Sequence, residues 1–417
     1  MSAQSIDNFK PVFKYYKRRQ PPPNLNDAVD FHKVMPRERL ELLKSSKENN
    51  LQNSSSEKIQ KLGLNPTTQW KCFKLLELSS NGDRCSTGLI ILSNAFTEEG
   101  HLLWSLKCLK DYAKNPPNKT NIENLISTYE NTSKDLQLDQ DFLEHSNSPN
   151  KKARSYVIKE QTSVQCTNSH QREKSFNISS QHNLLDTGYN WWASVYNKWR
   201  SDKLSTKLED SSKSRPSKLE NIEAKVNELR WATLGYHHNW DTKKYSEESV
   251  SPFPNDLRDL CKIIINFIGD LDQNEIKAEF ISGYKPEAAI VNFYPTYSSL
   301  GGHTDHSEPN RKAPLLSFSF GLSAVFLCGG PTKKTKPTSM ILRSGDVLIM
   351  TETAREKFHG VPRIIDEKLG QSLSVNTFSG DTLDNSANDT QKINEEIEFT
   401  KMYLKKHRIN INVRQVF

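Results

Sequence analysis

Residues 288–308 read AAIVNFYPTYSSLGGHTDHSE, and the rest of the chain can be interpreted outward from them. The apolar residues of AAIVNF are typical of a β-strand, which the Gly301-Gly302 pair interrupts. His303 and Asp305 follow two residues apart, so on an extended backbone their side chains leave from the same face. The stretch therefore predicts a strand that delivers an imidazole and a carboxylate to one point.

A third candidate ligand follows a long run of predicted strands. The segments APLLSFSFGLSAVFLCGG and TSMILRSGDVLIM are rich in strand-forming residues, and they lead to Phe358-His359-Gly360. Two histidines and one carboxylate on one face of an ion leave its other positions open, which is the arrangement of non-haem Fe(II) oxygenases. Closing these strands around His303, Asp305 and His359 predicts a small β-barrel with a metal inside.

The alternative for each of these residues is an ordinary polar role. An isolated H-x-D is common by chance, and a lone histidine is usually a satisfied polar residue. The strand, the glycine turn and the distal His359 together favour the metal interpretation. Asp346 follows Gly345 in a predicted hairpin turn and is interpreted as a turn former. His306 lies at an odd offset from His303 and is assigned no metal role.

The C-terminal segment HRININVRQVF predicts one more strand, half-buried, with alternating apolar and polar residues. Its polar face carries Arg408, Asn410 and Arg414. A planar guanidinium suits a carboxylate better than an ammonium does, so this face could hold a dicarboxylate. The alternative is a strand whose exposed face carries ordinary charge.

Taken in order, these motifs resemble those of the AlkB family of Fe(II)- and 2-oxoglutarate-dependent nucleic-acid dioxygenases, most closely an animal branch. The motifs are N-x-Y at Asn292 and Tyr294, H-x-D at His303 and Asp305, the distal His359, and R-x-N-x-x-x-R from Arg408 to Arg414. The resemblance is firm from Leu229 to Phe417 and looser in the N-terminal third.

The resemblance implies an α+β fold, a double-stranded β-helix (jelly-roll) core with flanking helices and a nucleotide-recognition lid. It implies Fe(II) held by His303, Asp305 and His359, and O2 as the oxidant. It also implies that Arg408 pairs with the far carboxylate of 2-oxoglutarate. Four further residues would complete the cosubstrate cradle: Asn292, Tyr294, Asn410 and Arg414.

Residues 228–245, ELRWATLGYHHNWDTKKY, mix six rings with three cations, a composition that can stack bases and hold phosphates. By resemblance, Tyr236 and His238 are base contacts, and Trp231 or Trp192 is a stacking partner. The alternative for each ring is packing on the flank of the barrel. For Trp192, whose neighbours recur at helical spacing, the alternative is a helix stripe in the core.

Composition sets broad limits. The 417 residues carry a net charge of +7, which favours a polyanionic partner without establishing one. No apolar run approaches the roughly 20 residues that span a bilayer. The six cysteines show no C-x-x-C spacing, so reduced thiols are expected. We expect an intracellular monomer that does not bind membranes, located in the nucleus, the cytoplasm or the mitochondrion.

The chain divides into four predicted regions. Residues 1–114 form an N-terminal extension of helices and strands that packs on the core. Residues 115–186 are polar and are predicted to be a disordered insertion. Residues 187–286 hold the aromatic and basic recognition region with a supporting helix, and residues 287–417 form the dioxygenase core. Within the extension we expect a basic first helix, short helices near 27–34 and 37–43, and a helix from Phe96 to Ala113 capped by Ser93-Asn94.

The resemblance implies oxidative demethylation of tRNA or of another single-stranded or flipped nucleic acid. The expected target is 1-methyladenosine in tRNA, with 5-methylcytosine in tRNA and 6-methyladenine in DNA as further candidates. Bacterial members of the family carry an acidic residue two places beyond the ligand aspartate, where this chain has Ser307, so their base preference is not assumed. The alternatives are a protein or histone-tail dioxygenase and a non-catalytic RNA-binding module.

Overall fold

The computed structural model describes residues 6–33, 39–43, 56–78, 81–122, 190–208, 217–366 and 387–417. The described parts of 1–121 and 190–417 belong to one compact unit. The predicted insertion at 115–186 lies outside the described residues from 123 onward. At its beginning, Lys119–Thr120 is a short strand of the main sheet. None of the described helices is long and apolar enough to cross a membrane.

The described strands are β1 (Val29–Asp30), β2 (Leu40–Leu43), β3 (Lys71–Leu78), β4 (Arg84–Ser93), β5 (Lys119–Thr120), β6 (Trp231–Asn239), β7 (Lys244–Val250), β8 (Ala288–Pro295), β9 (Leu300–His303), β10 (Leu315–Gly321), β11 (Ala324–Cys328), β12 (Thr338–Leu342), β13 (Val347–Met350), β14 (His359–Ile364) and β15 (His407–Arg414). The described helices are α1 (Phe9–Lys17), α2 (Ser56–Lys61), α3 (Glu98–Lys107), α4 (Trp191–Leu208), α5 (Ser217–Val226), α6 (Asn255–Leu271), α7 (Ala278–Gly283), α8 (Glu352–Arg355) and α9 (Ala387–Leu404).

The strands form two sheets, and the fold is the predicted α+β jelly-roll. The larger sheet has the order β2-β3-β4-β13-β10-β15-β8-β6-β5, with β7 paired to β6. The smaller sheet has the order β1-β12-β11-β14-β9. Leu89, Leu348 and Met350 of the larger sheet share one core cluster with Phe326 and Met340 of the smaller sheet. The inner faces of the two sheets therefore enclose a common interior.

The strand β15 sends its polar residues into that interior. Arg408 is the cross-strand partner of Tyr294, and Asn410 is that of Asn292, so these side chains share one face. Tyr294 belongs to the core cluster between the sheets. The alternate residues of β15, with Ile409 as an example, are also fully buried, on the opposite face. The predicted half-buried strand is thus wrong: both faces are buried, and the polar face points into the barrel.

The basic first helix is confirmed as α1, and it packs on the smaller sheet. Its buried Phe9 fills the space above Gly302, where an added Cβ would lie 2.5 Å from the ring. The same ring packs against Phe358, with ring centroids 6.4 Å apart. Gly302 and Phe358 each directly precede a candidate metal ligand. The N-terminal helix therefore supports the two strands that carry the histidines.

Three predictions about helices in the N-terminal extension are wrong. Short helices are expected near 27–34 and 37–43, but the described residues there include the strands β1 and β2, because β12 and β3 offer them free edges. The helix α3 begins after Thr97, whose side chain accepts a hydrogen bond from the Gly100 N–H at 3.0 Å, and not after Asn94.

Gly235 provides a test of the packing between β6 and β8. It has φ +68°, and an added Cβ would lie 2.0 Å from the Glu287 carbonyl oxygen. Gly82 has φ +85° and open space around the same position. Gly82→Ala should cost about 1 kcal/mol of unfolding free energy from backbone strain alone. Gly235→Ala should cost about 1–3 kcal/mol more, because it adds a clash. Urea unfolding of both variants measures the difference, and equal losses would contradict the close approach.

Candidate metal and cosubstrate site

The three predicted metal ligands come together. His303 ends β9 and His359 begins β14, and the two are cross-strand partners with ring centroids 4.4 Å apart. Asp305 lies two residues past the end of β9. One donor atom from each residue lies within 4.8 Å of the others, and within the described chain these are the only three such side chains grouped closely enough to hold an ion. His306 and Asp346 lie outside the group.

Backbone hydrogen bonds fix the tautomer of both histidines. The Nδ1 atom of His303 lies 2.9 Å from the Gly301 carbonyl oxygen, and that of His359 lies 3.0 Å from the Lys357 carbonyl oxygen. A carbonyl can only accept, so each Nδ1–H is the donor. The Nε2 lone pairs are left free, which is the form that binds a metal. Burial lowers the pKa of His359 to about 4, which keeps its ring neutral at physiological pH.

Asp305 is held as a carboxylate. Burial alone would raise its pKa, but the guanidinium of Arg414 and the two neighbouring histidines outweigh burial and hold the pKa well below its usual range. Its Oδ2 accepts a hydrogen bond from Arg414 Nη2 at 3.2 Å, and its Oδ1 lies 3.8 Å from His303 Nε2. One oxygen is thus anchored while the other faces the imidazoles. Two imidazole nitrogens and one carboxylate oxygen fit a divalent iron with open positions.

Arg408 is a buried cation that forms no ion pair with the described residues, although Asp346 acts on its charge from farther away. Its side chain donates to Ser319 Oγ at 2.7 Å and to the carbonyl oxygens of Leu322 and Leu342 at 3.3 and 3.4 Å. Its Nε has no partner among the described residues. Burial lowers its pKa to about 10, so it stays charged at neutral pH. A buried charge needs a counter-charge, which a carboxylate of the cosubstrate would supply.

The other predicted cosubstrate residues surround Arg408 on the inner face. Tyr294 is its cross-strand neighbour, and burial raises the Tyr294 pKa to about 12, so the phenol stays protonated. Asn410 donates to Ser317 Oγ and to the Phe318 carbonyl, and it faces Asn292 across the strand pair. Arg414 has a buried Nη1 with no described partner. The residues form one row of donors that leads to the metal ligands.

Two residues that sequence reasoning missed complete the site. Glu308 and Arg355 are buried, and Arg414 Nε lies 2.6 Å from Glu308 Oε1. Arg355 Nη2 lies 3.3 Å from Glu308 Oε2, while its Nη1 donates to the Ala313 carbonyl at 2.7 Å. Arg355, Glu308, Arg414 and Asp305 thus form a continuous chain of alternating charges that ends on a metal ligand. No periodicity in the sequence marks Glu308 or Arg355.

Three of the four predicted substrate residues lie on β6. Trp231 is the cross-strand partner of Asn292. His238 Nε2 lies 3.1 Å from Ser307 Oγ, two residues beyond Asp305. Tyr236 packs edge-on against Phe417 at 4.9 Å. This strand therefore connects the metal and cosubstrate residues to the aromatic residues of 228–245, which we call the aromatic lid.

Trp192 is not brought together with these residues. Its ring stacks on Tyr196 at 5.1 Å and meets Phe399 edge-on at 5.2 Å. It is 6 % exposed, between the helices α4 and α9. The alternative of a helix stripe in the core describes its surroundings, because other residues of this chain cover its ring.

A jelly-roll with two histidines and one carboxylate inside, facing buried arginines, defines a non-haem iron oxygenase. The family described as the 2OG-Fe(II) oxygenase superfamily matches residues 190–414. The chain belongs to this superfamily. It is an oxidoreductase of the dioxygenase class, and Fe(II) and 2-oxoglutarate are its cofactors, as predicted.

The similar proteins are of the AlkB type, which confirms the predicted resemblance. The nucleic acid dioxygenase ALKBH1 of Mus musculus is 27% identical over 98% of this chain and 84% of its own length. The tRNA demethylase abh1 of Schizosaccharomyces pombe is 36% identical over 45% of this chain and 53% of its own length. The DNA N(6)-methyladenine demethylase ALKBH1A of Arabidopsis thaliana is 37% identical over 50% of this chain and 55% of its own length.

The chain of charges predicts that Glu308 acts on metal affinity without touching the metal. Glu308→Gln removes the anion between Arg414 and Arg355 and loosens the hold of Arg414 on Asp305. Mn(II) affinity, measured by electron paramagnetic resonance, should fall about tenfold or more. Glu248→Gln, at an exposed position of β7, is the control. Unchanged Mn(II) affinity in a folded Glu308→Gln protein would contradict the inference.

Arg408 predicts the response of the protein to 2-oxoglutarate. Arg408→Lys keeps the charge but loses the planar fork, so the KM for 2-oxoglutarate should rise about 30-fold. In the presence of Mn(II), 2-oxoglutarate should raise the unfolding midpoint of the wild type much more than that of the variant. An equal rise in both proteins would show that the cosubstrate does not pair with this residue.

Proposed function

We propose that this protein oxidatively removes methyl groups from nucleic acid, with 1-methyladenosine in tRNA as its main target. One observation supports the proposal above all: a hydrogen bond joins the segment that carries Asp305 to the aromatic lid. Ser307, two residues past Asp305, is hydrogen-bonded to His238 in β6, the strand that carries the half-buried rings of Trp231 and Tyr236. The names of the similar proteins, which include a nucleic acid dioxygenase and a tRNA demethylase, support the same class of substrate.

In this proposal His303 and His359 hold Fe(II) through Nε2, and Asp305 holds it through the oxygen that Arg414 leaves free. When bound together, Fe(II) and 2-oxoglutarate activate O2 to oxidise a C–H bond, and 2-oxoglutarate leaves as succinate and CO2. The residues of the chain orient these partners. Arg408 pairs with the far carboxylate, and Asn292, Tyr294, Asn410 and Arg414 supply the remaining polar contacts.

The buried surroundings of the site explain the chemistry required of the substrate. A methyl carbon must come within reach of the iron, so a methylated base has to be flipped out or already unpaired. Hydroxylation of an N-methyl carbon leaves an unstable adduct that releases formaldehyde and the unmodified base. Apolar core residues, with Tyr294 among them, line the interior beside the site.

Bacterial members of the family carry an acidic residue where this chain has Ser307, and this difference supports a different base preference. Its hydroxyl lies 3.1 Å from His238 Nε2, and burial lowers the pKa of His238, so the ring is neutral near pH 7. A neutral imidazole presents one donor and one acceptor. We infer that His238 and Tyr236 contact the methylated base, while Trp231 stacks on it. A 5-methylcytosine in tRNA and a 6-methyladenine in DNA are the further candidates.

Mass spectrometry of nucleosides from total tRNA tests the proposal. Incubation with the protein, Fe(II) and 2-oxoglutarate should lower the content of 1-methyladenosine and produce succinate and formaldehyde. Methylated histone-tail peptides, tested in parallel, should give no formaldehyde. Release from the peptides without release from tRNA would favour the protein-dioxygenase alternative and overturn the proposal.

Asp305→Ala separates catalysis from binding. The variant should lose turnover completely and still bind tRNA, because the aromatic lid remains. Asp305→Glu is the conservative comparison. Succinate production that survives Asp305→Ala would show that the ligand assignment is wrong. Absence of catalysis in the wild type as well as in the variants, with tRNA binding intact, would favour a non-catalytic RNA-binding module.

A further inference from the structure

The turn between β6 and β7 presents a tryptophan and two lysines at the surface. Trp240 is 47 % exposed, and Lys243 and Lys244 are exposed. Asn239 Oδ1 closes the turn by accepting hydrogen bonds from the N–H groups of Asp241 and Thr242, both at 2.9 Å. The ring and the lysines are therefore displayed on a defined scaffold.

Lys243 occupies a backbone conformation that does not favour lysine. Its φ is +54°, in the left-handed region. Asparagine and glycine enter this region at lower cost than a lysine does. A strained residue in a surface turn is a reason to look for a function of its side chain. Among the described residues neither Lys243 nor Lys244 forms an ion pair, so their charge is available to a partner.

The ring of Trp240 contacts His238 and Trp231, two of the residues that we propose bind the substrate. Its ring centroid lies 4.6 Å from that of His238 and 5.4 Å from that of Trp231. His238 is hydrogen-bonded to Ser307, two residues past Asp305, and Trp231 is the cross-strand partner of Asn292. The inner part of the Trp240 ring thus packs on the two rings proposed to contact the methylated base. The outer part is free.

We propose that Trp240 and Lys243 form a subsite for the nucleotide that neighbours the oxidised one. The neighbouring base stacks on the exposed part of Trp240, and Lys243 pairs with its phosphate. Stacking on an indole accepts any base, and a lysine reads only the backbone, so this subsite binds unpaired strands regardless of sequence. The inference rests on the proposed function and assigns it a substrate of more than one nucleotide.

The test measures binding, without turnover, of a fluorescein-labelled short single-stranded RNA that carries one 1-methyladenosine. Fluorescence anisotropy of the full-length protein with Mn(II) and 2-oxoglutarate is recorded at several KCl concentrations. Trp240→Ala should weaken binding about tenfold at each salt concentration, with Trp240→Phe in between. Lys243→Asn should weaken binding about threefold to tenfold and lower the salt slope by about 0.7, the value for one phosphate contact on a single strand.

Thermal unfolding separates a lost contact from a lost fold. Asparagine suits the left-handed region, so Lys243→Asn should unfold at the same temperature as the wild type or higher, although its RNA binding is weaker. Lys405→Asn, which removes another exposed lysine just after α9, is the matched control and should leave the salt slope unchanged. Stability that is retained while affinity falls is the result that supports the subsite.

Two results would overturn the subsite. One is RNA binding by Trp240→Ala and Lys243→Asn with the affinity and salt slope of the wild type. The other is an equal loss of slope in Lys405→Asn, which would mean that only overall charge matters. Because binding needs no turnover, failure of the proposed function is seen separately. A protein that shows the expected binding effects but oxidises no nucleic acid would refute the proposed function and leave the subsite intact.

Discussion

The site depends on two guanidinium groups buried on the inner face of β15. Burying a charge is costly unless an opposite charge or a set of hydrogen bonds compensates for it. Arg414 is compensated within the chain by Asp305 and Glu308. Arg408 has hydrogen bonds to a hydroxyl and two carbonyls, and no described carboxylate lies within ion-pair distance of it. One arginine therefore holds a predicted metal ligand, and the other is the group that we predict to pair with a carboxylate of the cosubstrate.

The barrel can hold these charges because the opposite face of the same strand is apolar. Ile409, Ile411 and Val413 are fully buried, so β15 is anchored from outside while its polar residues point inward. On the smaller sheet, α1 has the corresponding role. Phe9 packs against Gly302 and Phe358, the residues that precede the two histidines. Apolar packing outside the barrel thus sets the positions of polar groups inside it.

Residues in extended segments could be assigned to one face of a strand from the sequence. The spacing of His303 and Asp305, and the alternation of β15, follow from the two-residue period of an extended chain. The sequence could not reveal which face of β15 is buried, because that depends on the opposing sheet. It could not reveal Glu308 or Arg355 either, since their ion pair joins segments that only the fold brings together. The strands β1 and β2 were missed for the same reason, because their partners are distant in sequence.

The hydrogen bond between His238 and Ser307 lies at the boundary between two parts of the site. Residues in one part can change without disturbing residues in the other. On one side, Asp305 is fixed by Arg414, Glu308 and Arg355, a set of charges that tolerates little change because each is buried and paired. On the other side, the backbone of β6 pairs with β8 in the larger sheet, while its side chains meet the segment after Asp305 through one neutral hydrogen bond and through rings that are partly exposed. Such contacts contribute only about 1 kcal/mol each, so the lid residues can change without disturbing the metal ligands. Under the proposed function, the rings of β6 and not the metal ligands would then determine which base is oxidised.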